Sequence, residues 1–443
     1  MSDDAAVARL QTLLRIPTIS RYAEAEVDRD QFERFISTLA QLYPFVHSRL
    51  ERERVAGYSL LFRWPGRSAT EPTVLMAHYD VVAASDAGWK HPPFAGELSG
   101  SGEERLVWGR GTLDDKGALV AILEAVESQL AAGVVPAQDV YLVFGHDEET
   151  ASTGARAVVD LLESRGVRPA LVLDEGGAIA SDAFPGVTAP VAFVGVGEKA
   201  PNTFRLIVDQ PGGHASTPPK VTATVRLAKA IVRLNEKPFR ASLTPTTAEM
   251  LHTVGLSTRG VLGFAFRNAR WLWPVLLPIM SRRSAELNAM SRTTQAVTML
   301  EAGEAVNALA EHATATVNVR IAVDSTVDKA LAHITRAIRD ERVRVEVVSP
   351  QEPVPVSQLG GMAWELVAGT IEKTFPEAIV TPYLQTGATD SRHFTRISRG
   401  VYRFSPFDMT REERDTLHAR NERMRVSSWL GGIEFYRALV AAL

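Results

Sequence analysis

In the first half of the chain, short apolar runs alternate with segments of helical period, the rhythm of parallel α/β proteins. The runs 73–77, 139–145, 170–173 and 190–196 predict strands, and 4–15, 30–42, 116–131 and 153–165 predict helices. Within 116–131, Leu119, Ile122, Leu123 and Val126 fall on one helical face. The rhythm changes near 202. A strand at FRLIVD, a helix at 221–235, strands at 295–301 and 313–321, a helix at 326–340 and a strand at 342–348 follow. That order, βαββαβ, is the plan of a small two-layer α+β domain. A long insertion rich in Trp, Phe and Pro, 237–294, separates its first helix from its second strand. Helices at 361–374 and 427–442 return to the first pattern. The expectation is a large α/β domain with a mostly parallel sheet between helices, built from 1–198 and 350–443. A smaller α+β domain, 199–349, is inserted into it.

Composition narrows what such a molecule can do. The 443 residues suffice for two domains. A formal net charge of −4 provides no basic field for nucleic acid. Cysteine is absent, so a metal would be held by His, Asp and Glu, and no thiolate nucleophile is available. The most apolar stretch, 271–280, is short, contains Pro274 and Pro278, and does not predict a membrane span. The opening MSDDAAVARLQTLL lacks the basic-then-apolar layout of a secretory signal, which sets a cytoplasmic expectation.

Three apolar strands end in residues that can bind metal: His78-Tyr79-Asp80, His146-Asp147-Glu148-Glu149 and Asp174-Glu175. Ligands of open α/β sheets sit beyond the carboxyl ends of the strands. Polar residues also follow strands simply because strands exit to water, but three such ends coincide here with a glycine loop carrying Asp114 and Asp115. Asp80, two residues from His78, points to the same side of the strand and can accept the other imidazole N–H, or it is a plain surface acid. Glu148 and Glu149 could instead merely begin a helix at 150–163.

HYDVV, GRGTLDDKG, GHDEE, VLDEGG, GGHAS, TDSRHF and LHARNERM occur in one order along nearly the whole chain. Together they resemble the zinc-dependent exopeptidase and aminoacylase family, metallopeptidase family 20. The long apolar insertion looks most like carboxypeptidase S and the N-fatty-acyl-amino-acid hydrolases within it. The resemblance implies a zinc-binding catalytic domain with a lid/dimerisation domain inserted. It implies two zinc ions per subunit, with cobalt or manganese as possible substitutes. Asp114 would bridge the ions, His78 and Asp174 would hold one, and Glu149 and His418 the other. Without the resemblance, His418 reads as a surface histidine, and His393 in TDSRHF competes with it. Zinc accepts imidazole and carboxylate ligands, and three carboxylates with a bridging hydroxide balance two zinc ions. Glu148 is then the general base that takes a proton from the metal-activated water.

The resemblance also implies that His214 swings over the metal centre, within its own subunit or across a homodimer, to stabilise the oxyanion. One such donor is worth about 3 kcal/mol. Between its two glycines, His214 otherwise reads as a turn residue beside a helix cap. Asn307 and Arg320 match positions that hold the substrate carboxylate, although Ala308-Leu309 stands where the family has an Ile-Pro pair. Gly387, Thr389, Asp390 and Arg392 are expected to line the same pocket, with an ion-pair role as the alternative for Arg392. In the insertion, Val261, Leu262, Phe264, Phe266, Trp271, Trp273 and Leu276 suggest core or dimer interface before ligand channel. Were they to line the cleft, they would favour a bulky apolar acyl group.

The expected activity is metal-dependent hydrolysis of an amide beside a free amino-acid carboxylate, on a small peptide or, alternatively, an N-acyl-amino acid. A non-catalytic metal- or ligand-binding protein on the same scaffold is the remote alternative. The lone Gly195-Val196-Gly197 match runs into a strand, not the helix that phosphate binding requires, and no G-x-S-x-G elbow occurs.

Overall fold

A computed structural model describes residues 2–181, 183–184 and 186–443. Its main sheet runs in the order Glu51–Val55, Ser59–Trp64, Gln138–Gly145, Ser68–His78, Leu171–Asp174, Val401–Arg403 and Val191–Glu198, then the short strands Ile179–Ala180 and Asp408–Met409. Ile379–Gln385 also pairs with Val191–Glu198. The centre is parallel: Ser68–His78 lies between Gln138–Gly145 and Leu171–Asp174, and Val401–Arg403 extends it. Four carboxyl ends therefore open to one side, as parallel strands require.

The helix Lys116–Ala131 lies under this sheet against the C-terminal helix Val426–Ala442, whose Trp429 Nε1 donates to Gly117 O at 2.9 Å. Periodicity assigns Lys116–Ala131 one apolar face, but it is buried almost all round, including Glu124 and Glu127. Those charges are met by partners the local pattern does not reveal. Arg9 and the Tyr43 hydroxyl donate to Glu124, and Glu127 accepts the N–H groups of Phe45 and Val46 at 2.9 and 2.8 Å. The latter two begin the short helix Pro44–Arg49 and lack partners inside it. Gly117 is obligatory, because a Cβ there would lie 2.2 Å from Thr112 O.

A second, four-stranded antiparallel sheet has the order Thr294–Ala302, His312–Ile321, Ala200–Asp209, Arg344–Val347. The helices Ala223–Asn235 and Val327–Ile338 cover it around a separate apolar core. Residues 245–290 form four helices that do not join that core. Met250, Leu251, Val254 and Phe266 pack instead against Phe184, Val187 and Val191 beside the main sheet. The apolar cluster of the insertion thus divides. Phe266 is buried with Leu262 and Leu276 packed beside it, whereas Val261, Phe264 and Trp271 face outward. Among the described residues, no helix is long and apolar enough to cross a membrane.

Candidate metal centre

The strand Ser68–His78 ends at His78, whose register partner is Gly145 on the neighbouring strand. Beside it the loop 109–115 brings in Asp114. His78 Nε2 lies 2.8 Å from Asp114 Oδ1, and His418 Nε2 lies 2.8 Å from Asp114 Oδ2. The two carboxylate oxygens therefore face different histidines. Glu149 Oε1 lies 3.2 Å from His418 Nε2. Two groups compatible with metal binding result, His78, Asp114 and Glu175 in one, Asp114, Glu149 and His418 in the other.

Asp174 is not in either group. As the last strand residue it shares the face of Val172, beneath the segment Asp390–Arg396, and its Oδ2 accepts from Ser391 N–H at 2.8 Å. Glu175, one residue further, reaches the cluster in its place. A single-residue step at a strand end decides which of the two acids faces His78 and Asp114, and no sequence pattern fixes where that strand stops.

Asp80 does more than support the imidazole. His78 Nδ1 is 3.0 Å from Asp80 O and 3.3 Å from Asp80 Oδ1, while the carboxylate accepts Glu148 N–H and Glu149 N–H at 3.1 Å each. One buried acid thus fixes the ring of His78 and the backbone of both glutamates. With Nδ1–H given to Asp80, the lone pair of Nε2 meets an oxygen of Asp114, an arrangement that requires a proton or a metal ion. Burial, reinforced by neighbouring carboxylates, pushes Glu148, Glu149 and Glu175 upward in pKa. Hydrogen bonds to Asp114 and Glu149 push His418 up to about 10. A donor set of two imidazoles and several crowded carboxylates fits hard or borderline divalent cations such as zinc.

Glu148 Oε2 lies 3.9 Å from His78 Nε2. Glu148 and Glu149 do not begin a helix: the helix starts at Thr153, and Asp147 serves its first turn by accepting from Thr153 N–H at 2.7 Å and Gly154 N–H at 3.0 Å. The run HDEE therefore divides its work between a helix end and the cluster.

Sequence separation hides how His418 arrives. Glu422, fully buried, accepts Gly111 N–H at 3.0 Å and Leu113 N–H at 2.8 Å and pairs with Arg110. It locks the LHARNE loop onto the loop that carries Asp114. His418 itself takes a left-handed conformation at φ 56°. Glu422 lies inside a motif noted in the sequence, and its acidity in a buried loop was the available signal. The competing His393 sits among Arg392, Arg156 and Arg396. Burial and those cations push its pKa down to about 4, an unsuitable setting for a cation.

The remaining expected site residues separate. Thr389 and Asp390 are buried, 1% and 3% exposed. Thr389 N–H and hydroxyl donate to Glu198 at 3.2 Å, and Asp390 fills the space beside Gly145, where a Cβ would lie 2.4 Å from its Oδ2. Gly387 and Arg392 are partly exposed. Arg392 Nε stands 3.8 Å from Glu198 Oε1, so its ion-pair reading holds. Glu198, overlooked in the sequence, also accepts from Arg403 Nε at 2.8 Å. Lys199 beside it is buried, with Nζ donating to Ala289 O and Thr294 Oγ1, and burial lowers its pKa to about 7. Arg320 is half-buried on the second sheet. Its pKa is lowered by burial, against the opposing pull of Glu198 and Glu148. His214 and Asn307 lie together elsewhere. Gly213–His214 pairs with Ala308–Leu309, Ala215 N–H donates to Asn307 O at 3.0 Å, and exposed His214 contacts Ser216. Among the described residues, no hydrogen bond or ion pair joins His214 to the metal-ready cluster, and its ring meets only Ser216.

Known proteins agree with this architecture. Residues 74–442 match the model of peptidase family M20/M25/M40. The chain is 34% identical over 438 residues to the human N-fatty-acyl-amino acid synthase/hydrolase PM20D1, covering 97% of this chain and 86% of that one. It is 28% identical to carboxypeptidase S of Saccharomyces cerevisiae, covering 98% and 83%. In fold it is similar to the M20 family metallo-carboxypeptidase Sso-CP2 of Sulfolobus solfataricus, at a TM-score of 0.70 and 16% identity over 98% of both chains. Human carnosine dipeptidase 1 gives a TM-score of 0.69 at 15% identity, over 99% of this chain and 96% of the other. With its family match running through both the strand ends and the LHARNE loop, the chain belongs to peptidase family M20/M25/M40 and is a hydrolase of that family.

Proposed function

We propose that this protein hydrolyses the amide bond of N-acyl-amino acids and related peptides, next to a free carboxylate, at a centre of two zinc ions. The observation that carries the reading is Asp114, whose two oxygens each face a separate histidine. His78 and Glu175 would complete one ligand set, Glu149 and His418 the other. When bound, such ions supply Lewis acidity to water and to the scissile carbonyl.

Glu148 is the general base. It is held beside the cluster through its backbone bond to Asp80, and burial raises the proton affinity of its carboxylate, as a group that must take up a proton requires. It takes the proton of the attacking water and passes it to the leaving nitrogen. Arg320 pairs with the amino-acid carboxylate, to which its guanidinium fork is suited. The exposed His214 turn is suited to reach the carbonyl oxygen at the centre of a second copy of this chain, with Asn307 beside it.

The 34% identity to an N-fatty-acyl-amino acid synthase/hydrolase favours a long apolar acyl group. Similarity to carboxypeptidase S supports the peptide reading. The test is a hydrolysis series on the zinc-loaded protein, dipeptides against N-acyl-amino acids of increasing chain length. Turnover rising with chain length is the expected result. Activity confined to dipeptides would assign the peptidase reading, and inactivity on both would remove the proposal.

A further inference from the structure

The insertion and the helix Val327–Ile338 face each other across an open cavity of about 940 Å³. Neither the metal-ready residues nor Glu148 or Arg320 line it. Its charge is one-sided. Arg270, paired with Glu249 at 3.6 Å, lines it, and so do Arg240, Arg292, Lys329 and Arg336, against one lining acid, Asp324, whose carboxylate accepts from Ser242 Oγ at 2.9 Å. Among the described residues, none of the latter four cations has an ion-pair partner. Lys329 and Arg336 lie seven residues apart, two turns along one face of the helix. Like charges left together without counter-ions repel one another and lower stability, unless an anion joins them.

Two independent features point the same way. Arg292 Nη1 donates to Phe239 O at 3.1 Å, but its Nε is buried with no partner. The helix Pro245–Leu256, twelve residues long, begins at the cavity, so its positive end adds to the field. Trp273 and the stacked rings of Phe239 and His333, with centroids 4.0 Å apart, add aromatic surface.

We propose that this cavity binds a phosphate-bearing ligand with an aromatic or apolar body, at a site separate from the metal centre. Guanidinium forks match phosphate oxygens, the ring surfaces accept the body, and the volume suits a small molecule. The phosphate could belong to a soluble nucleotide or to a lipid headgroup.

The test uses the full zinc-loaded chain with ADP as soluble probe and phosphatidic acid in phosphatidylcholine vesicles as lipid probe. Hydrogen exchange is read at 239–248 and 327–338, and affinity is measured for the wild type and for a Lys329→Gln/Arg336→Gln double variant. Slower exchange at both segments is expected with one probe, which identifies the source. Affinity should fall about tenfold or more in the double variant, as loss of two charge-assisted contacts implies, while hydrolysis stays unchanged. Unaltered exchange with both probes, or equal affinity of wild type and double variant, would overturn the proposal. Equal affinity would place the phosphate elsewhere, for instance on the metals.

Discussion

The strand-end rim and the His214 turn carry the two halves of the proposed chemistry, and they are built in opposite ways. At the rim four of the reactive groups rest on buried polar partners: His78, Glu148 and Glu149 on Asp80, and the His418 loop on Glu422. The turn is an exposed two-residue pairing with one side-chain contact to Ser216. The rim is preorganised, as electrostatic catalysis requires. The turn has little to hold it until something meets it. On the proposed reading, the difference separates residues that must be rigid before substrate arrives from one that would be delivered to a site.

Breaking the rim at its reactive carboxylate should cost most. Glu148→Ala is expected to lower kcat by about 10²–10⁴-fold with zinc content unchanged, measured by steady-state kinetics beside metal analysis. His214→Ala is expected to lower kcat by about 10²–10³-fold, the range for one oxyanion donor, without altering zinc content or the unfolding midpoint. Mixing these two inactive variants tests delivery between subunits. Recovered activity would indicate a shared site, and none would place His214 in its own subunit or outside the reaction. Asp80→Ala should reduce zinc affinity or activity about 10–100-fold, the usual cost of losing a group that orients ligands, read by competition with a chelator.

The joint between the sheets offers the mildest test. Lys199 is lowered to about 7 by burial, so between that pH and its ordinary value near 10.5 the unfolded chain binds the extra proton. Stability contributed through this group therefore rises with pH across that window, and below it both states are charged and the burial cost is constant. In Lys199→Met the thermal midpoint should gain relative to wild type at pH 7 compared with pH 10. An unchanging gap would show that the ammonium is not desolvated.

Much of the rim was legible because strands announce themselves. The run 73–77 lies within Ser68–His78, and the predicted helix 116–131 coincides with Lys116–Ala131. His78, Asp114 and Glu149 stand out as polar residues closing apolar runs or glycine loops. That Glu175, and not Asp174, lies with His78 and Asp114 was not legible, since it depends on the residue at which a strand stops. Nor was the burial of Thr389 and Asp390, which follows from Glu198 and Gly145, partners distant in sequence. The docking of 245–290 beside the main sheet rests on contacts with Phe184 and Val191, and apolar residues in an insertion do not say which core they join.

The bridging place of Asp114 is tested most directly by metal content at saturation. The protein is stripped with chelator, reloaded with zinc, and its zinc-to-chain ratio is determined by elemental analysis for wild type and Asp114→Ala. Two equivalents per chain in the wild type, falling to one or none in the variant, is the expected result. A single equivalent in the wild type, or two retained by Asp114→Ala, would contradict the bridge.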